Sequence, residues 1–436
     1  MLVLWVILFA VFAALFHYYA VVRRRLPPGP FPLPLLGNSL AVRKAERWEQ
    51  KFLEWRREYG PIYTFFSGPL AIVMVNDWDL MQQIDQDTYN EKLQFKALNE
   101  LTRGGEYGII GTGGALWREQ RRFALRTLRD FGLGKNKMEE RILEEVQTLC
   151  SSINAELEKN GEEIDLHKQT DIAVGSVINS VINGYRFTTN VRLPREFPHI
   201  PSLLRTNKKE FYKLKHTMEK MMAGFSDPLV FMAVESDFLR RLPVFKQRFH
   251  RTIGLMNDIF AFLNATIDKH EKQNDYETMN EPADFIDAFL MEKHKLDKAG
   301  RIALFFKNPT TERLLGHEIQ RWANIVALSQ LRVASKDIEI AGVRIPKGAS
   351  VSPNIGVVMA NEKHMDELCP FSYGKRGCLG EGLAKMELFL FFANIFNQYR
   401  VTSSPAKQPP TLEKEHNGAS MGTKPYVCRL QRRFAA

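Results

Sequence analysis

The stretch Pro370–Ala384 reads PFSYGKRGCLGEGLA and places one cysteine, Cys378, in a glycine-rich loop. Gly374, Gly377 and Gly380 lie within four residues of this cysteine, and glycine allows a backbone to approach a bound group closely. An apolar run typical of a helix follows the loop, so the first N–H groups of that helix would favour the thiolate form of the sulfur. The pattern therefore predicts a cysteine thiolate in a tight loop, which is an axial ligand that heme iron accepts.

A buried structural cysteine ahead of a core helix is the alternative interpretation, because free cysteine packs as a small apolar side chain. The loop, however, contains the longer pattern F-x-x-G-x-R-x-C-x-G, with Ala384 further on. In these residues the chain resembles the cytochrome P450 family, which binds heme b (iron protoporphyrin IX) through a cysteine thiolate. The resemblance implies that Cys378 is the iron ligand, that Arg376 contacts a heme propionate and that Phe371 shields the sulfur.

Two residue pairs elsewhere in the chain match the same family. Trp117 and Arg121 share one face of a helix predicted to begin near Ala115, and the family uses such a W-x-x-x-R pair to hold a heme propionate. Glu318 and Arg321 form an E-x-x-R pair, which one helical turn can bring into a buried ion pair. The resemblance gives this second pair a structural role in bracing the core of the cysteine loop.

Small sheets are predicted within a largely helical chain. Alternating apolar residues predict strands over 62–66 and 71–75, preceded by an amphipathic helix over Trp48–Tyr59. Residues 338–348 are strand-like and match the family in order, and Arg332 ahead of them is a further candidate contact to a propionate. The expected fold is mainly α with small β-sheets (α+β), which is a cytochrome P450-like fold in incomplete form.

The middle of the chain, residues 138–300, predicts long amphipathic helices. Prolines are expected to break them near Pro194, Pro201, Pro228 and Pro243. In the family the corresponding helices cover the substrate pocket and touch the membrane.

The N-terminus predicts a membrane anchor. Residues 2–22 carry no charged side chain and are long enough to span a bilayer. A cleaved signal peptide is the alternative, but its basic residues would precede the apolar run, whereas Arg23–Arg25 follow it. The positive-inside rule then keeps the body of the protein in the cytosol. The predicted organisation is a transmembrane anchor over 1–22, a basic and proline-rich linker over 23–38, and a heme-thiolate catalytic domain over 39–436.

The net charge and the cysteine content limit the classes of binding partner and the compartment that we expect for this protein. The net charge of +10 suits an anionic membrane face or an acidic protein partner. Nucleic acid is not expected, because no basic repeat is interleaved with stacking aromatics. Four scattered cysteines without a C-x-x-C pair indicate a reducing compartment, and the histidines show no zinc-binding spacing.

An arginine stripe lies beside the Trp117–Arg121 face of the predicted helix. Its members are Arg118, Arg122, Arg126 and Arg129. A solvated surface face is one interpretation of the stripe. A docking surface for an acidic electron donor is the other, since complementary charge steers encounter.

The family pattern is broken in two places. No A/G-G-x-D/E-T-T/S motif, which carries the acid–alcohol pair of the family's distal helix, occurs between residue 297 and residue 317. The aromatic and arginine meander that normally precedes the cysteine loop is also missing, near 364–366. We therefore expect a chain that lacks internal blocks, through either missing exons in the gene model or a truncated natural product.

The resemblance implies a monooxygenase of the endoplasmic reticulum membrane, anchored by a single span with its body in the cytosol. It would insert one oxygen atom from O2 into an apolar small molecule such as a lipid, a steroid or a foreign compound. The implied electron donor is an NADPH-dependent flavoprotein reductase, with cytochrome b5 as a second candidate. The missing acid–alcohol pair keeps two alternatives open: a heme-binding pseudoenzyme, and an isomerase or peroxygenase that needs no delivered protons.

Overall fold

The computed structural model describes most of the chain. The described residues are 2–33, 36–45, 48–84, 91–92, 109, 112–132, 136–187, 208–299, 320, 323–326, 331–360, 369–405, 407, 414–417 and 420–434. Helices make up most of these residues, and the strands are short.

Helices α1 to α14 span, in chain order, Leu2–Arg24, Ser39–Lys44, Trp48–Tyr59, Trp78–Gln83, Gly114–Asp130, Asn136–Asn160, Leu166–Asn183, Lys208–Phe225, Pro228–Glu235, Asp237–Arg241, Pro243–Gln273, Phe285–Ala299, Ile355–Met359 and Glu381–Gln398. Strands β1 to β12 span, in the same order, Ile62–Ser67, Leu70–Val75, Glu91–Lys92, Glu163–Ile164, Arg332–Val333, Ile338–Ile340, Val343–Ile345, Ser350–Pro353, Tyr399–Ser403, Lys414–Asn417, Ser420–Thr423 and Cys428–Arg432.

The local predictions agree with these bounds. The predicted helix over Trp48–Tyr59 is α3, and the two predicted strands pair as the antiparallel hairpin β1–β2. Pro228 and Pro243 each occupy the first turn of a helix, where a missing N–H costs no hydrogen bond. Pro194 and Pro201 lie outside the described residues.

A five-stranded sheet with the order β1-β2-β8-β5-β3 forms one core of the molecule. Strands β2 and β8 are parallel, and the other neighbours pair antiparallel. Phe52 and Trp55 of α3 pack on one face of this sheet, against Tyr63 of β1. The sheet therefore links the N-terminal third of the chain to β5 and β8, which lie ahead of the cysteine loop in the sequence.

A second core fixes the helix that follows the cysteine loop. In it α14 packs against α6 and α7, with Ile142, Val177 and Phe391 buried together. Strand β9 continues directly from α14 into the sheet β4-β12-β9. The buried Tyr399 of β9 donates its hydroxyl to the Cys150 carbonyl at 3.1 Å, which ties the end of α14 to α6. Both ends of the cysteine loop thus rest on packed elements.

The proline-rich segment after α1 is bonded to the first sheet. The Thr64 N–H donates to the Pro28 carbonyl at 2.9 Å, and the Thr64 hydroxyl donates to the Pro27 carbonyl at 2.7 Å. A Cβ at Gly29 would lie 2.0 Å from the Thr64 carbonyl oxygen, so this close approach of the two backbones requires glycine. Tyr19 of α1 is 2% exposed and packs on the same hairpin. The end of α1 is therefore held against the sheet.

Within the described part of the chain, no helix combines the length and the hydropathy needed to cross a membrane. The predicted transmembrane helix over 1–22 is accordingly not confirmed.

A buried polar cluster joins three helices. His270 of α11 contacts Asp284 through Nε2 and Oδ2 at 2.8 Å, and the Asp284 Oδ1 atom accepts from the Asp287 N–H at the start of α12. A Cβ at Gly184, at the end of α7, would lie 2.5 Å from Asp284. The hydrogen bond to Asp284 raises the pKa of His270 above its usual value, and burial opposes this rise.

We expect this cluster to make stability depend on pH. Because the pKa of His270 is raised in the folded state, its contribution is complete below the unfolded value of about 6.5 and is lost as pH rises through the folded pKa. Asp284→Asn should lower the free energy of unfolding by about 1–3 kcal/mol near pH 6 and flatten its fall toward pH 9. Urea unfolding across this range tests the expectation, and an unchanged pH slope in the variant would contradict it.

Candidate functional site

The cysteine loop is a tight turn that presents its sulfur outward. The Cys378 N–H donates to the Phe371 carbonyl at 2.7 Å, and the Gly377 N–H donates to the Gly374 carbonyl at 2.9 Å. Gly374 adopts φ 69°, in the left-handed region that glycine reaches without strain. Cys378 is exposed, whereas Cys369 at the base of the loop is buried. The loop backbone is thus satisfied internally, and the Cys378 thiol is left for an external partner.

Helix α14 begins three residues after Cys378. Its first residue is Glu381, and Gly380 at the N-cap supplies no side-chain bond to the first N–H groups. The free N–H groups of the first turn carry partial positive charge, which stabilises a nearby anion.

Trp117 of α5 lies between two arginines that reach it from different parts of the chain. The guanidinium carbon of Arg376 lies 3.7 Å from the centre of the indole ring, and that of Arg121 lies 5.8 Å from it. Arg376 also donates to the Thr112 carbonyl at 3.1 Å. Arg121 donates to the Gly377 carbonyl at 2.6 Å, next to the cysteine. These contacts hold α5 and the cysteine loop together.

The electrostatics around Trp117, Arg121 and Arg376 favour an anionic ligand. Burial lowers the pKa of the Arg121 guanidinium, and the negative charge of Cys378 opposes that shift. Trp117 is 3% exposed, and its indole Nε1 atom has no hydrogen-bond partner among the described residues. A buried donor without a partner is costly unless a ligand supplies the acceptor.

One cavity of about 2000 Å³ contains the predicted cofactor-binding residues that the structure describes. They are Trp117, Arg121, Arg332, Phe371, Arg376 and Cys378. The remaining wall is largely apolar and includes Val174, Phe285 and Phe391. The volume exceeds the roughly 300–1,000 Å³ of an ordinary ligand pocket, which leaves room for a large planar cofactor together with a substrate.

The other predictions have mixed outcomes. Glu318 and Arg321 lie outside the described residues, as do residues 300–319 and 361–368, where the two breaks in the family pattern were expected. The arginine stripe does not share one environment: Arg118 is exposed, whereas Arg126 lines the cavity and its Nε atom is buried without a partner.

Sequence reasoning missed Glu387, which also lines the cavity. It lies nine residues after the cysteine, on the apolar run that predicts a helix. A single carboxylate in that run was the signal that could have identified it.

The residues present fit a heme. The exposed Cys378 thiol beside a helix N-terminus suits the iron. Two arginines and the indole N–H of Trp117 suit the anionic propionates, and the apolar wall suits the macrocycle. A fold and a site of this kind define a heme-thiolate protein.

The comparison with protein families agrees. The family model "Cytochrome P450" matches residues 27–306, 313–367 and 359–430. The chain belongs to the cytochrome P450 family. It is a heme-thiolate monooxygenase, an oxidoreductase that incorporates oxygen from O2, and its cofactor is heme b.

Curated relatives match over nearly their whole length. Cytochrome P450 2A5 of Mus musculus is 28% identical, with 88% of this chain and 89% of the relative covered. Cytochrome P450 2A6 of Homo sapiens is 27% identical, with 90% and 91% covered. Cytochrome P450 2B4 of Oryctolagus cuniculus is 26% identical, with 95% and 96% covered.

The alignments also bear on chain length. The match to the Mus musculus protein runs over 467 positions, which is more than the 436 residues of this chain. That relative therefore contains residues that have no counterpart here. The family match is interrupted between residues 306 and 313, and the absence of the acid–alcohol helix stays a prediction.

Proposed function

We propose that Cys378 is the axial ligand of the heme iron and that the other cavity residues orient the cofactor around it. Trp117, Arg121 and Arg376 hold propionates, Arg332 adds a further contact, and Phe371 covers the sulfur. The observation that carries this assignment is that the exposed Cys378 and the Trp117–arginine group share one cavity wall. The pair Glu318–Arg321 is assigned its structural role from the family motif alone.

The bound heme supplies activation of O2 with electrons from outside the protein. The chain supplies what surrounds that chemistry. The loop hydrogen bonds fix the position of the sulfur, and the arginines neutralise negative charge at one side of the cavity. The apolar walls exclude water and accept a substrate of low polarity. We propose an apolar small molecule, such as a lipid, a steroid or a foreign compound, as the substrate.

A carbon-monoxide difference spectrum of the reduced holoprotein tests the ligand assignment. Thiolate ligation should give the strongly red-shifted Soret band, and reconstitution with NADPH and a flavoprotein reductase should then oxidise apolar test compounds. A heme complex without the shifted band would contradict the assignment of Cys378.

We propose a reductase as the electron donor, docking on α5. Support comes from the exposed Arg118 and the partly exposed Arg122 and Arg129 on this helix. Attraction between exposed charges weakens as salt screens them. The rate of reductase-driven turnover should therefore fall with ionic strength, and a salt-independent rate would contradict this docking mode.

We further propose that α1 anchors the protein in the endoplasmic reticulum membrane with the catalytic body in the cytosol. Apolar side chains of α1, including Trp5, Phe9 and Phe12, are exposed, and Arg23 and Arg24 end the helix. Deleting residues 1–24 should move most of the protein from the membrane fraction to the soluble fraction of cells. Resistance of the full chain to alkaline carbonate distinguishes a spanning helix from a surface-bound one.

A further inference from the structure

Glu387 is a buried acid in an apolar surface. It is 7% exposed, and its Oε1 atom has no hydrogen-bond partner in the part of the chain that the structure describes. It lines the same cavity as Cys378. The other α14 residues in that wall are all apolar: Ala384, Leu388, Phe391, Phe392, Ile395 and Phe396. A lone carboxyl in such a wall is costly to ionise, and it has no assigned part in holding the heme.

Burial alone raises the pKa of the Glu387 carboxyl to about 7. Charged side chains that line the cavity are Glu119, Arg121, Arg126, Glu292, Lys293, Arg332 and Arg376. On α6, which packs against α14, the buried acid Glu145 is paired with Arg186. Further titratable groups around α14 are Cys378 and Tyr426 in the cavity wall, and Tyr399, Cys150 and Cys428 in the buried core. None of these groups contributes to the shift at Glu387, so its ionisation is governed by its own burial.

The helix places this acid within electrostatic reach of the cysteine. Glu387 lies six residues beyond the start of α14, which corresponds to about 9 Å along the axis. Helical side chains lean toward the N-terminus, and the N-terminus of α14 is the end that adjoins Cys378. Glu387 and Cys378 line the same cavity, and a charge is screened less within its largely apolar walls than in water.

We propose that Glu387 is a proton-exchanging group of the Cys378 cavity, and that its ionisation lowers the electron affinity of the heme iron. The inference rests on the proposed axial role of Cys378. Above the transition the carboxyl releases one proton to water and becomes an anion. This negative charge disfavours adding an electron to the iron, so the ferric state gains stability over the ferrous state. At lower pH the neutral carboxyl removes that effect.

The test is a redox titration of the holoprotein with dithionite as reductant, from two pH units below 7 to two units above it. The reduction potential of the wild type should become more negative through an inflection near pH 7. Glu387→Gln keeps the size of the side chain and should remove that inflection, leaving the potential at its low-pH level. Glu381→Gln is the matched control, because Glu381 lies on the same helix but pairs with Lys385 at the surface. This control should keep the inflection.

Two results would overturn the proposal: a wild-type potential without an inflection, or an inflection that survives in Glu387→Gln. Infrared spectroscopy separates this failure from a failure of heme binding. Protein with or without heme should show a protonated-carboxyl C=O band below pH 7 that Glu387→Gln abolishes and Glu381→Gln retains. One combined outcome is that Glu387→Gln loses the infrared band but the wild type shows no shifted Soret band. That outcome would reject the assignment of Cys378 as ligand and would still establish the proton at Glu387. Absence of the infrared band from the wild type below pH 7 would show that Glu387 does not hold a proton there, and this would also overturn the proposal.

Discussion

Replacement of Cys378 with alanine is expected to eliminate the thiolate-type Soret band completely, with no partial recovery from another sulfur. The reason is that Cys150, Cys369 and Cys428 are buried, while Cys378 is exposed in the cavity. Removing the sulfur also removes the strongest bond between the protein and the iron, so the heme content of the purified protein should fall. The carbon-monoxide difference spectrum and the heme-to-protein ratio are the measurements.

Cys369→Ala is the matched control for this variant. Cys369 lies at the base of the same loop, and its carbonyl accepts from the Ser372 N–H at 2.9 Å, a backbone bond that alanine keeps. The control should retain the shifted band. A Cys378→Ala protein that binds heme with the wild-type spectrum would refute the assignment of the ligand.

Replacement of Arg121 with methionine should weaken heme binding by about 10–100-fold, which is the usual cost of losing a group that orients a metal ligand. Methionine keeps the apolar stem of the side chain but removes its bond to the Gly377 carbonyl at 2.6 Å. It also removes one of the two cations beside Trp117. The rate of heme transfer to an excess of a heme-free globin measures the loss.

Arg118→Met provides the comparison for Arg121→Met, since Arg118 is on the same helix and is exposed. Its heme transfer rate should equal that of the wild type. Equal rates in all three proteins would show that Arg121 does not support the cofactor. Thermal unfolding of the heme-free proteins distinguishes loss of heme affinity from loss of the fold.

Short sequence patterns were sufficient to predict those helices and strands that depend on interactions between residues close together in the chain. Alternation predicted the β1–β2 hairpin, and Pro228 and Pro243 predicted breaks between helices, because a strand face and a missing N–H act within a few residues. The motif around Cys378 identified the cavity residues through family resemblance. These predictions needed no knowledge of which elements meet.

Contacts between distant segments could not be predicted in the same way. Nothing in the sequence near Arg376 indicates that it stacks on Trp117, or that Arg126 turns toward the cavity and away from the charged stripe. Glu387 was missed for a related reason, because a raised pKa follows from burial, and burial is a property of the assembled walls.

The two bonds that join α5 and the segment just before it to the cysteine loop have a consequence for biosynthesis. Arg121 and Gly377 are 256 positions apart, and Thr112 and Arg376 are 264 apart. At the usual pace of roughly 5–20 residues per second, a ribosome needs on the order of tens of seconds to travel between them. During that interval α5 exists without its partner, so the nascent chain cannot close this pocket before the cysteine loop has been translated. We therefore expect heme capture to follow the emergence of the cysteine loop and α14 from the ribosome.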